Sequence, residues 1–338
     1  MNAGAVQRGR ARICIDAMGG DRAPEEIVAG ALAAVEAADV DVVLVGPEPV
    51  LRPLLPGGEP PKGVTLLHAP DIIGMHDDPA SSVRTRKDAS LVRCADAVRD
   101  GLADAMVGAG NTGATMAAAL LRFGRIRGIA RPAIAVPIPR PGGPPQLLVD
   151  GGATVDCSPE WLAQFAAMGR AYARVRLGVD EPTVGLLSNG EEEGKGDDLR
   201  KQTFALLSGT PGFVGNVEGR ELMSPRPDVV VTDGFTGNVA LKTIEGAVKA
   251  VANLVFGVLG RDELRDASSV VAPALLEVAG DLDPDATGGA LLLGVDGVCV
   301  ISHGSSSARA IVNASRLARD CVSAGIVGRV QEAIAGAG

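Results

Sequence analysis

The sequence predicts an α/β protein whose sheet is mostly parallel and covered by helices on both faces. Three observations predict it. Short β-branched runs alternate with longer Ala/Leu-rich helical patterns along almost the whole chain. The strand-like runs are apolar throughout rather than at every second residue, as in strands buried on both faces. The composition, 46% hydrophobic and 22% charged over 338 residues, supplies enough apolar material for a large core.

Taken in order, strands are read at "RICIDAM", "VDVVLVG", "VTLLHA", "ADAMVG", "PAIAVPI", "QLLVD", "TVGLLS", "DVVVTD" and "GVCVISH". Between them lie helical patterns such as "PEEIVAGALAAVEAA", "PEWLAQFAAMGRAYARV" and "SARAIVNASRLARDCV". Pro24 and Pro159 stand near the starts of their helices, where a missing N–H costs nothing. Two Pro/Gly-rich stretches, "RPLLPGGEPPKG" and "PIPRPGGPPQ", read as exposed loops. The second, near 140–150, is the expected meeting point of two intertwined lobes within one large domain spanning 13–338. Residues 1–12, "MNAGAVQRGRAR", form a polar, basic extension without the apolar core of a signal peptide. No uninterrupted apolar run reaches the roughly 18 residues that suggest a membrane span. The expected location is the cytoplasm, with at most peripheral contact at the inner face of the membrane.

Charge and composition exclude several classes of function. A net charge of −9 and an aromatic content of 2% argue against nucleic-acid binding, which needs basic patches and stacking surfaces. Cys14, Cys94, Cys157, Cys299 and Cys321 are scattered, form no C-x-x-C, and accompany only three histidines. They read as buried thiols of a reducing compartment, and no metal site is expected.

Chemistry collects at the strand-to-helix junctions. "VGAGNTGATMAAALL" contains G-x-G-x-x-G as Gly108, Gly110 and Gly113. Such a turn lets backbone N–H groups and a helix N-terminus face a pyrophosphate, or any phosphate. A dinucleotide site also needs an acidic residue about 20 positions on, for the ribose hydroxyls. None occurs between Asn111 and Val149; that segment carries Arg125, Arg127, Arg131 and Arg140 instead. An anion site is favoured, while arginines suited to a 2′-phosphate keep an NADP site open.

Five junctions share this small, donor-rich character: "DAMGGDRAP", "GAGNTGA", "SNGEEEGKG", "TDGFTGN" and "SHGSSSAR". In a parallel α/β sheet they lie on the carboxyl edge, where ligands bind. Asn111, Thr112, Thr236, Asn238 and Ser305–Ser307 offer hydroxyls, amides and helix-start N–H groups to phosphate oxygens or an oxyanion. Lys195 and Lys242 add charge, although Lys242 is also spaced to pair with Glu245. His303 follows an apolar strand directly and reads as an acid/base group or an oxyanion donor. Asp16, Asp21 and Asp233 orient these groups; Gly19 and Gly20 complete the first turn. No G-x-S-x-G elbow or P-loop is present, so direct transfer to a bound nucleophile is the simpler mechanism.

The motifs together resemble the phosphate acyltransferase family of bacterial phospholipid synthesis, the PlsX type. The resemblance runs from Ile13 to about Val322 through seven ordered motifs: "IDAMGGDRAPEEIVAGA", "AGNTGATMAAALLRFGRIRGIARPA", "VDCSPEWLAQFAAMG", "VGLLSNGEEEGKG", "FVGNVEGREL", "DVVVTDGFTGNVALKTIEG" and "GGALLLGVDGVCVISHGSSSARAI". "AGNTGA" is then the family's own turn. The chain departs from the family's usual pattern at Thr154 and at Ala89.

This resemblance implies a large three-layer α/β/α sheet similar to isocitrate and isopropylmalate dehydrogenases, usually a homodimer. It implies transfer of an acyl group from acyl carrier protein to inorganic phosphate, without cofactor. His303, Lys195 and Asn111 are the expected catalytic residues. Asp16, Gly19, Gly20, Asp21, Gly110, Thr112, Gly113, Asp233, Asn238, Lys242, Ser305 and Ser306 are the expected phosphate- and substrate-binding residues. An NADP-linked dehydrogenase, a coenzyme A enzyme like phosphate acetyltransferase, and a non-catalytic scaffold remain the alternatives. An acidic carrier protein requires a local basic patch, for which Arg84, Arg86, Lys87, Arg93, Arg122, Arg125 and Arg127 are candidates. The resemblance further implies hand-off of the product to a glycerol-3-phosphate acyltransferase in the membrane. The helical pattern "EGAVKAVANLVFGVLGRDELR", expected to end near Gly260, carries Leu254, Val255, Val258 and Leu259 on one side, for core, dimer interface or reversible membrane contact.

Overall fold

The computed structural model of the protein describes residues 9–140 and 142–336. The first eight residues of the expected basic extension lie outside them, and strand β1 already begins at Ala11. The chain divides into two compact units, Met1–Ile126 with Gly288–Gly328, and Arg127–Thr287 with Arg329–Gly338.

The first unit opens with β1 (Ala11–Asp16), α1 (Glu25–Ala37), β2 (Val40–Gly46), α2 (Glu48–Leu51), β3 (Val64–His68), α3 (Pro79–Thr85), α4 (Ser90–Arg99), β4 (Ala105–Gly108) and α5 (Thr112–Arg122). The second unit follows with β5 (Ala133–Arg140), β6 (Gly143–Val149), α6 (Pro159–Leu177), β7 (Val184–Leu187), α7 (Asp198–Leu207), β8 (Phe213–Val217), β9 (Val229–Val231), α8 (Gly234–Leu259), α9 (Arg265–Asp281) and α10 (Pro284–Thr287). The chain then returns to the first unit with β10 (Ala290–Leu293), β11 (Val298–Ile301) and α11 (Ala308–Ser323), and ends in α12 (Ile326–Ala335).

In the first unit the strand order is β3-β2-β1-β4-β11-β10. All neighbours are parallel except β10 against β11. Ile13 pairs with Val42 on one side and Ala105 on the other. Every residue of β4 and β11 is buried, which explains their unbroken apolar runs. The step from β1 to β2 runs one way along the sheet and the step from β3 to β4 runs back. Right-handed crossovers therefore put α1 and α4 on opposite faces. Consistently, α1 packs with α11, and α4 packs with α5.

In the second unit the order is β5-β6-β9-β7-β8, parallel except for the β5–β6 hairpin. Within "PIPRPGGPPQ", residues 137–140 and 143–146 are hairpin strands rather than loop: Arg140 pairs with Gly143, and β6 runs through Pro144 and Pro145. These prolines lack the N–H that marks a strand in sequence, and they sit at the more exposed end of the strand. β8 and β10 are strands the sequence patterns did not single out. β8 is interrupted by Gly215 at φ +101°, opposite a register shift in β7.

Helix α8 runs 26 residues to Leu259, with Gly260 as its cap. Past its first turns it is not a core helix within this chain: Leu254 is 72% and Val258 42% exposed, Val255 is exposed, and Leu259 is half-buried. α9 leaves Val270 and Leu276 exposed as well. Among the described residues no single helix is long and apolar enough to cross a membrane; α8 and α9 meet both conditions only as a pair bent by 80°.

Candidate active site

In the first unit, β1, β4 and β11 lie side by side and parallel, so their carboxyl ends share one edge. Chain order reverses between β1 and β4, the point where an open α/β sheet leaves a crevice. Three of the five expected junctions meet here. Asp21 N–H donates to Gly304 O at 2.8 Å, joining the β1 turn to the β11 turn. A side chain on Gly19 would come within 2.9 Å of both Gly110 N and Asp16 Oδ2. At Gly20, φ is +116° and a Cβ would lie 3.0 Å from Gly304 O and 3.1 Å from Ala109 O. Glycine is therefore required at 19 and 20 because three turns touch through their backbones.

The start of α5 is fixed by Asn111. Its Oδ1 accepts from Ala114 N–H at 3.0 Å, and its Nδ2 donates to Met75 O and Asp77 O, both at 3.1 Å. The amide expected to bind substrate is thus committed to capping the helix and pinning the 75–77 loop. Gly113 makes room for Pro79, whose Cγ would lie 2.8 Å from an added Cβ. Thr112, the first residue of α5, is exposed.

The β11 turn orients His303. Its Nδ1 lies 3.0 Å from Ser305 Oγ and 3.4 Å from Ser305 N, and the ring is exposed. Ser306 is buried and donates both its N–H (3.0 Å) and its hydroxyl (2.6 Å) to His303 O. Ser307 caps α11, and Glu26 of α1 accepts the Ala308 N–H at 2.7 Å. A carboxylate of the protein's own thus takes one of the helix-start N–H groups expected to face an anion, a partner 282 residues away that no local pattern signals.

The other two junctions belong to the second unit. Asp233 caps α8 through Thr236 N–H at 2.8 Å. It also forms an ion pair with Arg200, whose guanidinium further bonds the hydroxyls of Thr232 and Thr236 at 3.0 Å each. Both Arg200 and Asp233 are buried. Asp150, at the end of β6, takes N–H bonds from Ile134, Gly152, Ala153 and Thr154 at 2.6 to 3.0 Å. Thr154 adds a hydroxyl bond to Pro132 O at 3.1 Å. Asn238 donates to Gly151 O at 3.3 Å. Lys242 pairs with Glu245 at 2.7 Å, the alternative its spacing offered. Lys195 is exposed, in a loop tied by Asn216 Nδ2 to Glu192 O at 2.9 Å.

Three buried carboxyls differ in electrostatics. Burial pushes the Asp16 carboxyl up, against the nearby Ser90 hydroxyl and a 3.1 Å hydrogen bond from Met18 N–H. Burial likewise raises Asp150 against its four N–H donors. Burial would raise Asp233 too, but the Thr236 donors and Arg200 bring it below the ordinary carboxylate range. Cys157, whose thiol donates to Thr154 O, is pushed up to about 12 by burial and is no nucleophile. Among the proposed basic patch, Arg86 pairs with Asp77, Arg93 with Asp88 and Arg122 with Asp96, so much of its charge is locally balanced.

A family model described as "Fatty acid synthesis protein" matches residues 11–329. A phosphate acyltransferase of Elusimicrobium minutum is 48% identical over 328 residues, covering 96% of each chain. Among solved structures, a phosphotransacetylase from Streptococcus pyogenes gives a TM-score of 0.62 at 16% identity, over 93% of this chain and 94% of that one. A 4-hydroxythreonine-4-phosphate dehydrogenase from Klebsiella pneumoniae gives 0.51 at 14% identity, over 94% and 99%. These two likenesses speak to fold alone, and they agree with the expected kinship to dehydrogenase-type α/β sheets. The seven ordered motifs, the family match and the relative's near-complete coverage converge: the chain belongs to the fatty acid synthesis protein family, alongside phosphate acyltransferases.

Proposed function

We propose that the protein transfers a fatty acyl group from acyl-[acyl carrier protein] to inorganic phosphate, giving acyl phosphate for phospholipid synthesis. The observation that carries this reading is the set of three turns stitched together at the carboxyl ends of β1, β4 and β11, with Thr112 and His303 exposed on it. A phosphate oxygen is nucleophilic at neutral pH, so the site need only desolvate it and aim it at the thioester carbonyl. The oxygen of hydrogen phosphate bonds to the carbonyl carbon, and the carbonyl electrons move to oxygen. As they return, the C–S bond breaks and the sulfur leaves with its electron pair, taking the proton that the phosphate brought. Atoms and charge balance without metal or nicotinamide. Fixed donors hold the oxyanion, each worth about 2.7–4 kcal/mol.

In this reading His303 faces the oxyanion and departing sulfur, while Thr112 and Ser305 serve phosphate or oxyanion; Lys195 remains the second unit's candidate for charge on a phosphate. Asp16, Asp21, Asn111 and Ser306 shape the turns, and Asp233, Asn238 and Lys242 belong to the supporting frame. Arg84 and Lys87 are the exposed core of the carrier-protein surface. The protein works as a homodimer at the cytoplasmic side of the membrane, touching it reversibly through Leu254, Val255, Val258 and Leu259 and passing acyl phosphate to a membrane acyltransferase. The exposure of Leu254, Val255 and Val258 supports that contact. Incubation with palmitoyl carrier protein and phosphate tests the reaction by mass detection. Palmitoyl phosphate should form in proportion to phosphate and survive chelation; activity lost to a chelator and restored by a metal would refute it.

A further inference from the structure

The ring of His303 is held by a donor that has no choice of role. The Ser305 backbone nitrogen lies 3.4 Å from Nδ1, and its hydroxyl lies 3.0 Å from the same atom. A backbone N–H can only donate, so Nδ1 accepts and the neutral ring carries its proton on Nε2. The main chain beneath the ring is fixed as well. His303 O receives two bonds from Ser306, Gly304 O receives Asp21 N–H, and a side chain at Gly304 would meet Met75 Cε at 2.8 Å. This turn presents one tautomer in one place.

The reaction supplies the second half of the argument. Because hydrogen phosphate brings the proton that the departing sulfur needs, no protein group has to gain or lose one over the cycle. The site needs a stationary donor where negative charge develops. We propose that His303 acts as a fixed Nε2–H donor to the thioester carbonyl oxygen as it becomes an oxyanion, and that Ser305 is the positioning residue that locks this tautomer. The donor role rests on the acyl-transfer reading above; the tautomer does not.

Two measurements separate these layers. The chain has three histidines, so a ¹⁵N-resolved spectrum of the imidazoles is readily assigned. His68 is an internal standard, since Glu48 N–H donates to its Nδ1 at 3.2 Å. The neutral His303 ring should match His68 in the Nε2–H pattern; a proton on Nδ1 would overturn the lock. In the palmitoyl transfer assay, His303→Gln places an amide N–H near the Nε2 position and should keep turnover within about tenfold, whereas His303→Asn should lose about a hundredfold. Equal losses in the two variants, each checked as folded by circular dichroism, would overturn the donor role and indicate proton transfer. Ser305→Ala removes the hydroxyl and keeps the backbone N–H, so the Nε2–H pattern of His303 should persist in the ¹⁵N spectrum of that variant. A proton shifted to Nδ1 would overturn the backbone lock. Failure of the wild-type protein to form palmitoyl phosphate would sink the acyl-transfer reading, and the donor role with it, whatever the spectrum shows.

Discussion

Asp16 in the first unit and Asp233 in the second are both buried carboxyls at the carboxyl ends of parallel strands, yet their surroundings treat charge in opposite ways. Beside Asp233 stands the Arg200 guanidinium, which holds the carboxylate charged and anchors the start of α8. Asp16 is met by a hydroxyl and an N–H, and burial wins. The difference teaches that a strand-end aspartate is not by itself a site residue. In the second unit the polar groups are largely spent on one another. In the first, turns closed by glycine contacts leave a threonine and an imidazole facing out.

The contrast breaks most visibly at Arg200. Arg200→Met leaves Asp233 buried without its counter-charge and should cost about 3–5 kcal/mol in denaturant unfolding, against less than about 0.5 kcal/mol for Thr112→Ala on the exposed start of α5. Comparable costs would erase the distinction between the units.

The two aspartates should also respond to acid with opposite sign. A carboxyl held below its ordinary range contributes stability that is present above that range and lost as pH falls through its folded value. Asp233→Asn should therefore destabilise at neutral pH and flatten the acid limb of the stability curve. A carboxyl held above its ordinary range takes up its proton more readily when folded, so its unfavourable contribution appears as pH rises through the folded value. Asp16→Asn should accordingly be neutral or stabilising at pH 7, measured by thermal unfolding from about pH 3 to about pH 7, which spans the carboxylate window and above. Parallel pH curves for the two variants would contradict the assignment.

The smallest stability effect belongs to the far half of α8. Leu254→Glu with Val258→Glu should leave the melting temperature nearly unchanged, because both side chains are exposed in the folded chain. The same change should release the protein from anionic vesicles. Unfolding, or dissociation of a dimer, would identify the face as an interface between proteins.

Much of this was legible in the sequence. The strands that build the first-unit edge are unbroken apolar runs, and the glycine turns after β1, β4 and β11 announce close backbone approaches. The Lys242–Glu245 pair follows from helical spacing alone. β8 and β10 were hidden because a glycine interrupts one and the other, Ala-Leu-Leu-Leu, holds no β-branched residue to mark it as a strand. Arg200 was passed over because its partner lies 33 residues away on another element. Asn111 was visible as a donor, but its carbonyl partners come from a loop 34 and 36 residues earlier, which no local pattern reveals.

The first-unit turns are the proposed seat of acyl transfer to phosphate. The most direct test is the initial rate of palmitoyl phosphate formation from palmitoyl carrier protein, measured by mass for the wild-type protein and for His303→Ala at saturating phosphate. The wild type should give a phosphate-dependent product, and His303→Ala, unfolding at the same denaturant concentration, should lose about a hundredfold in rate. A folded His303→Ala protein that forms palmitoyl phosphate at the wild-type rate would contradict that placement.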